Sequence, residues 1–541
     1  MDAPVPLIAL ALLTAAALVL ERPRAKAWAV LGALALTPVL LVAHIWDTEQ
    51  VASLRDRPAL LVAGVLAGLV GLGALTALLR RRPNVLPLLA VASLPFRIPV
   101  AIGGSAANLL VPLYVVIGAA ALTYAADRLR HVRALDEERV TRADPPTRGL
   151  EWALAVVLVL YAVQAAYSGD FGKALENLVF FYVPFALLFV FLRAIKWSPR
   201  LLRTCAAVLV ALALVLVGVG FVEYATRHLF LNPKVIASNQ LSAAFRVNSL
   251  FFDPNIYGRF LAIVMLLVTA WLLWARRARE VAAAGLLLAV LWGGLLLTLS
   301  QSSFTALLVG LAVLAGLRWS PRGALALTGA LAVVGVVVVL AAPGALNLDL
   351  GSARGADRAT SGRWDLLRGG VELFREQPVR GHGAGSFSAE YRRSQRVSRQ
   401  KATSASHTIP LTIAAEQGVV GLAAYLALLW LALRRLFDHA RGDPYRAAIA
   451  ACFVALLAHT MLYASFLEDP LTWALLGVGS ALALRPRRRR RGAENEVSSS
   501  GARSLAPENQ VSSSGARKLA RENEVSSSGA RKLAPPDDVS G

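Results

Sequence analysis

The chain has 541 residues, is 56% hydrophobic and only 17% charged, and has a mean hydropathy of +0.57. Soluble domains carry about 25% charged residues, so a water-soluble enzyme of this size is excluded. The formal net charge of +22 invites a nucleic-acid reading, but the basic residues fall in every second short loop between apolar runs, which is how membrane proteins set their topology.

Apolar runs lie near 4–20, 27–46, 59–79, 84–101, 106–126, 150–167, 177–192 and 201–223, and then near 256–275, 281–299, 302–317, 323–342, 410–433, 447–466 and 470–484. Such stretches can cross about 30 Å of hydrocarbon. The first follows only Asp2, with no basic segment and no small-residue cleavage site, and reads as a span rather than a removed signal. The run 84–101 contains Pro87, Pro95, Arg97 and Pro99 and is expected to be re-entrant or broken. The expected fold is an all-α polytopic membrane protein with 12–15 transmembrane helices and one large extracytoplasmic loop. Cys205 and Cys452 both fall near span ends expected in the cytoplasm, and no Cys/His metal spacing occurs.

One set of loops is basic: Arg22 to Lys26, Arg80–Arg82, Arg128 to Arg148, Arg193 to Arg203, Arg276 to Arg279, Arg318/Arg322 and Arg434 to Arg446. The other set, including Asp47/Glu49, Ser300-Gln301 and Glu468-Asp469, carries little positive charge. Placing the basic set in the cytoplasm puts the N-terminus outside, the C-terminus inside, and loops 224–255 and 343–409 outside. The chain divides into N-terminal helices (1–223), a second membrane region (224–484) and a tail (485–541).

Chemistry concentrates on the outer side of the second region. Loop 224–255 ends in Arg246-Val247-Asn248-Ser249-Leu250-Phe251-Phe252-Asp253-Pro254-Asn255, and Arg259 follows in the next span. An arginine one turn into a span snorkels or lines a cavity. Ser300, Gln301, Ser302 and Ser303 form the next outer hairpin. Loop 343–409 carries eleven Lys/Arg against six Asp/Glu. Within it Trp364, Leu367, Val371 and Phe374 recur at helical spacing, predicting an amphipathic helix over 362–375 with Ser361 as N-cap. Arg363 in its first turn suits a phosphate, or the helix only packs on the membrane region. Gln377-Pro378 ends it, and Gly381-His382-Gly383-Ala384-Gly385 permits tight turns. His407 precedes the span opened by Pro410, and Glu416 is a carboxylate inside that span. His459 lies in the outer half of its own span, where a buried structural role is the simpler reading.

The tail begins at Arg485, and its run Arg487–Arg491 suits anionic lipid head groups at the inner surface. The segment Glu494 to Arg503 then recurs from Glu508 and from Glu522. This Ser/Gly/Glu/Arg-rich repeat has no apolar stripe and is expected to be disordered.

In order, these segments resemble the O-antigen ligase/polymerase family of bacterial envelope glycan enzymes. The resemblance rests on Arg246 to Asn255, the serine hairpin at Ser300, Ser361-Gly362-Arg363-Trp364 followed by Pro378 and the Gly381–Gly385 turn, and His407-x8-Glu416-x-Gly418-x2-Gly421. It covers about residues 240–435. One departure is Ser300-Gln301-Ser302-Ser303, where relatives often have Ser-Arg-Gly and hence a cation.

The resemblance implies a metal-independent, cofactor-free glycosyltransferase at the outer face of the bacterial cytoplasmic membrane. It would act in lipopolysaccharide or other envelope polysaccharide biosynthesis. Its donor would be a glycan on undecaprenyl diphosphate, and its acceptor a lipid, a glycan or a protein hydroxyl. His407 and Glu416 would be catalytic, with His407 as general base. Arg246, Arg259 and Arg363, with Asp253 and Asn255, would hold the diphosphate. A transporter or lipid-glycan flippase and a protein O-oligosaccharyltransferase are the alternatives.

Overall fold

The computed structural model describes residues 4–46, 51, 55–96, 98–102, 105–130, 148–230, 245–323, 326, 329, 363–395, 408–463 and 465–483. Contacts gather residues 1–485 into one compact unit. The predicted span 323–342, the N-cap Ser361, His407 and the tail repeats lie outside the described residues, apart from positions 323, 326 and 329 of that span.

The helices are α1 (Pro4–Val19), α2 (Pro23–Ile45), α3 (Pro58–Arg81), α4 (Val85–Ser93), α5 (Val111–Arg130), α6 (Gly149–Ala165), α7 (Phe171–Ala194) and α8 (Pro199–Thr226). They continue as α9 (Pro254–Trp274), α10 (Ala278–Thr298), α11 (Gln301–Arg318), α12 (Arg363–Glu376), α13 (Phe387–Gln395), α14 (Ile409–Phe437), α15 (Pro444–Thr460) and α16 (Pro470–Ala483). Eight of them are long and apolar enough to cross a membrane, and α1, α6, α15 and α16 are shorter apolar helices. Among the described residues the fold is all-α apart from one hairpin, β1 (Ile98–Ile102) against β2 (Ser105–Leu109), antiparallel with Ile98 opposite Leu109.

That hairpin resolves the proline-broken run. At 1.5 Å per residue, nine-residue α4 is about 14 Å long and cannot span. The chain gives up helix at Leu94-Pro95, ahead of one further X-Pro step, Ile98-Pro99, that disfavours helical backbone.

Helix starts are written as a polar cap followed by proline. Ser198, Asp253, Asp443 and Asp469 each precede a proline and accept backbone N–H bonds from the first turn of α8, α9, α15 and α16. Asp170 caps α7 at Lys173 N, which starts that helix six residues earlier than its apolar run predicts. Within α7, Leu178–Tyr182 forms a π-turn.

Two apolar cores fill the bundle. One joins α1, α2 and α4 to α7 with α14 and α16. The other joins α8 to α11. Alanine-rich α15 belongs to both, giving Ile449, Ala450 and Phe453 to the first and Ala447, Ala451, Cys452 and Ala455 to the second. Small residues let helices approach closely; a Cβ on Gly310 of α11 would lie 3.1 Å from that of Ala455.

Basic residues close one rim. Buried Arg193 pairs with buried Glu151 at 2.8 Å, and Arg435 and Arg446 donate to the carbonyls of Ser480 and Leu482 near the end of α16. Breaking a buried pair strands a charge at a cost of about 3–5 kcal/mol. Glu151→Ala is therefore expected to lower the thermal midpoint of the detergent-solubilised protein. Glu151→Leu combined with Arg193→Met should recover much of the loss, and a double variant no more stable than the single one would refute this account.

Candidate functional site

The opposite rim collects most of the residues singled out by sequence. Asp253 caps α9 through Asn255 N and accepts the Tyr463 hydroxyl at 3.0 Å. Arg246 donates Nε to the Thr298 carbonyl at 3.0 Å and Nη2 to Asn255 Oδ1 at 3.3 Å. Ser300 caps α11 and donates to the same Asn255 oxygen at 2.9 Å. Ser302 and Ser303 lie within hydrogen-bond reach of Ser300, and Ser302 Oγ is 3.1 Å from His459 Nε2. The three serines and His459 are all buried.

The loop leading into α9 is held from behind. Glu223 of α8, fully buried, accepts the N–H groups of Asn248 and Ser249, at 3.3 and 2.7 Å. Ser249 takes a left-handed φ of 51°, and Asn248 Nδ2 closes the turn on the Phe251 carbonyl. Glu223 was invisible to motif reading, because its partners are backbone groups with no residue signature.

Arg259, one turn further along α9, is buried and paired with Asp469, the cap of α16. It also donates to the Ser465 carbonyl at 3.5 Å. Its charge is therefore directed to Asp469 rather than to the serine hairpin. A crevice beside the pair is lined by Leu94, Phe251, Ile256, Phe260 and Leu471, so the end of short α4 abuts it. On the other side of Asp469, Tyr182 donates to Glu468 at 3.3 Å, and burial pushes the Glu468 carboxyl up from its ordinary value.

Glu416, the carboxylate inside its span, is satisfied by backbone groups. Its two oxygens accept the backbone N–H groups of Gly385 and Phe387, at 2.9 and 3.1 Å. It thus anchors the glycine turn and caps α13. The turn is possible only with glycine: Gly381, Gly383 and Gly385 have φ of 68°, 99° and 75°. It docks on a break in α14 at Gly418, φ 64°. The carbonyls of Ala415 and Glu416, freed by the break, accept His382 N and Gly383 N, and Val419 N donates to Pro378 O. Broken helices are tolerated in membranes when protein satisfies the freed groups, as happens here.

The amphipathic helix exists as α12, but its buried face is Leu366, Gly369, Gly370 and Leu373, with Val371 exposed. The predicted stripe is one residue out of register, because glycines form its middle. A Cβ on Gly369 would lie 2.3 Å from Tyr391, and one on Gly370 3.0 Å from Leu411. Gly370 faces Leu411, and Leu373 O meets His382, whose N–H bonds Ala415. So α12 runs parallel to the start of α14, and Arg363 opens it at the end shared with Thr408. The Arg363 side chain lies outside the described residues.

Thr408, bonded through the chain to His407, donates its hydroxyl to the Met461 carbonyl at 3.1 Å. That contact ties the start of α14 to the end of α15, where His459 meets Ser302. Among the described residues, no group of three or more His, Cys, Asp or Glu could hold a metal ion.

Residues 286–426 match the family model for O-antigen ligase. The stretch runs from α10 through the serine hairpin, α12, the glycine turn and α14 as far as Leu426, and over this part the chain is similar to that family. The activity that goes with this family, at the coarse level, is enzymatic glycan transfer of the ligase or polymerase type, using a lipid-linked glycan and an acceptor at a membrane. No curated protein matches the chain.

Proposed function

We propose that the chain transfers a glycan from undecaprenyl diphosphate to an acceptor hydroxyl at the outer face of the bacterial cytoplasmic membrane. The rim with Arg246 and the serine hairpin faces outward, because the loops of the opposite rim carry the basic residues and short basic loops stay in the cytoplasm. The C-terminus then lies inside, with Arg487–Arg491 against anionic lipid.

The observation that supports the reading best is the Thr408–Met461 hydrogen bond. It holds the residue next to His407 at the end of α15, where His459 reaches Ser302 of the serine hairpin. In this scheme the His407 imidazole takes the acceptor's proton as its oxygen attacks the anomeric carbon. The bond from that carbon to the diphosphate oxygen breaks, and the electron pair leaves with the diphosphate. Attack opposite the leaving group inverts the anomeric centre.

Arg246, oriented by Asn255, and Arg363, at the N-terminus of α12, face the charge that develops on the diphosphate. The N-termini of α9, α11 and α16 are joined here by the Asn255–Ser300 and Arg259–Asp469 contacts. Their partial positive ends favour an anion. Arg259 acts as a clasp between α9 and α16, Asp253 fixes Asn255 and Tyr463, and Glu416 holds the glycine turn under the start of α14. Cationic side chains supply the electrostatic stabilisation in this scheme, and no step is assigned to a metal.

Arg246→Ala tests the reading. A charged hydrogen bond is worth about 1.5–3 kcal/mol, so transfer should fall by about 10–100-fold, lipid-diphosphate glycan should accumulate, and envelope polymer should decline. An unchanged glycan profile with normally inserted protein would sink the assignment.

A further inference from the structure

Three serines and a histidine stand behind Arg246, and their hydrogen bonds have a direction. A guanidinium only donates, so the Asn255 atom facing Arg246 Nη2 at 3.3 Å is its carbonyl oxygen. The Ser300 hydroxyl is 2.9 Å from that oxygen and gives it its one proton. Ser300 Oγ is then an acceptor for Ser302 at 3.2 Å, while the Ser303 hydroxyl, 2.8 Å from Ser300, also donates to the Asn255 backbone carbonyl at 3.3 Å. With the Ser302 proton directed at Ser300, Ser302 Oγ accepts from His459 Nε2, 3.1 Å away. Ser300 and His459 are 0% exposed and Ser302 1%, so bulk water does not stand in for any of these three.

We propose that His459 is a positioning residue for the diphosphate site. As an Nε2–H donor it heads the relay His459, Ser302, Ser300, Asn255, which fixes the guanidinium of Arg246. The inference rests on the reading that Arg246 binds the diphosphate. The relay needs a fixed donor, and both the neutral Nε2–H imidazole and the imidazolium provide one. Without it the Ser302 and Ser300 protons are free to turn, and the Asn255 amide can rotate its NH₂ toward Arg246, donor against donor. The two ends come from helices far apart in sequence. α15 carries His459 from the seam between the two cores, and α9 and α11 carry Asn255 and the serines.

The test is the affinity of the full-length protein in detergent for undecaprenyl diphosphate. Ser302→Ala and His459→Leu should each weaken binding about ten-fold, the scale of one buried hydrogen bond lost. His459→Gln offers an amide N–H near the position of Nε2 without a titrating group, and should recover affinity to within about three-fold of wild type. In an Arg246→Ala background, Ser302→Ala should have no further effect, because the two act as one unit. A Gln variant as weak as the Leu variant overturns the proposal, and so does a Ser302→Ala loss that adds in full to that of Arg246→Ala. If Arg246→Ala itself binds as tightly as wild type, the diphosphate reading fails and takes the inference with it. The Ser302→Ala and Gln variants change little volume, so the test survives if His459→Leu does not fold.

Discussion

Replacing His407 with alanine is expected to lower glycan transfer by about 10²–10⁴-fold, the usual weight of a general base. The acceptor hydroxyl is a poor nucleophile until its proton has somewhere to go. Around it the described polar groups are already engaged: Ser302 with His459, Tyr463 with Asp253, Thr408 with Met461. In cells the variant should accumulate lipid-diphosphate glycan and lose envelope polymer. With purified protein, undecaprenyl diphosphate should still bind with near wild-type affinity, since the imidazole serves the acceptor rather than the diphosphate. That separation distinguishes His407 from Arg246, whose loss weakens binding. Transfer at wild-type rate by a well-inserted His407→Ala protein would remove the histidine from the mechanism.

Gly418→Val is expected to abolish transfer by another route. The position has φ 64° and ψ −164°, a region all but reserved for glycine that costs an L-residue about 1–3 kcal/mol even in open space. Space is also lacking: a Cβ would lie 2.2 Å from the Val379 carbonyl oxygen, which is backbone and cannot swing aside. The glycine turn would have to leave α14, and Ala415 O, Glu416 O and Val419 N would lose His382, Gly383 and Pro378. Lost hydrogen bonds of about 1 kcal/mol each compound the strain. Limited proteolysis should reveal new cleavage between α12 and α13 while the helical circular dichroism stays near wild type. A variant with normal protease resistance and activity would refute the docking role of Gly418.

Much of the bundle was legible because apolar runs and cap-proline pairs are local signals. Pro199, Pro254, Pro444 and Pro470 mark helix starts that any chain would share. The hairpin after α4 was not legible: residues 98–102 are as apolar as a helix, and only the prolines hinted at a break. The site was legible in its parts but not in its pairings. Arg246, Asn255 and the serine hairpin stand out by type, whereas Arg259 meets Asp469 across 210 positions and Ser302 meets His459 across 157. Glu416 reads as a buried charge seeking a cation, yet backbone N–H groups satisfy it. The buried face of α12 escaped because glycine carries no hydrophobicity to count, although Gly369 and Gly370 are where Tyr391 and Leu411 come closest.

The break in α14 also bears on how the protein is made. Beyond Gly418, Val419–Phe437 is about 28 Å long at 1.5 Å per residue, enough to enter the bilayer as the inserted unit. The preceding turn, Ile409–Gln417, carries Glu416 and Gln417 and cannot rest in lipid with its carbonyls open. Its docking partners, Gln164 and the glycine turn, both leave the ribosome earlier. The expected order of biogenesis is insertion of the lower helix first, then seating of the upper turn onto a cradle already synthesised. The upper turn would then seat last, after the membrane topology is complete.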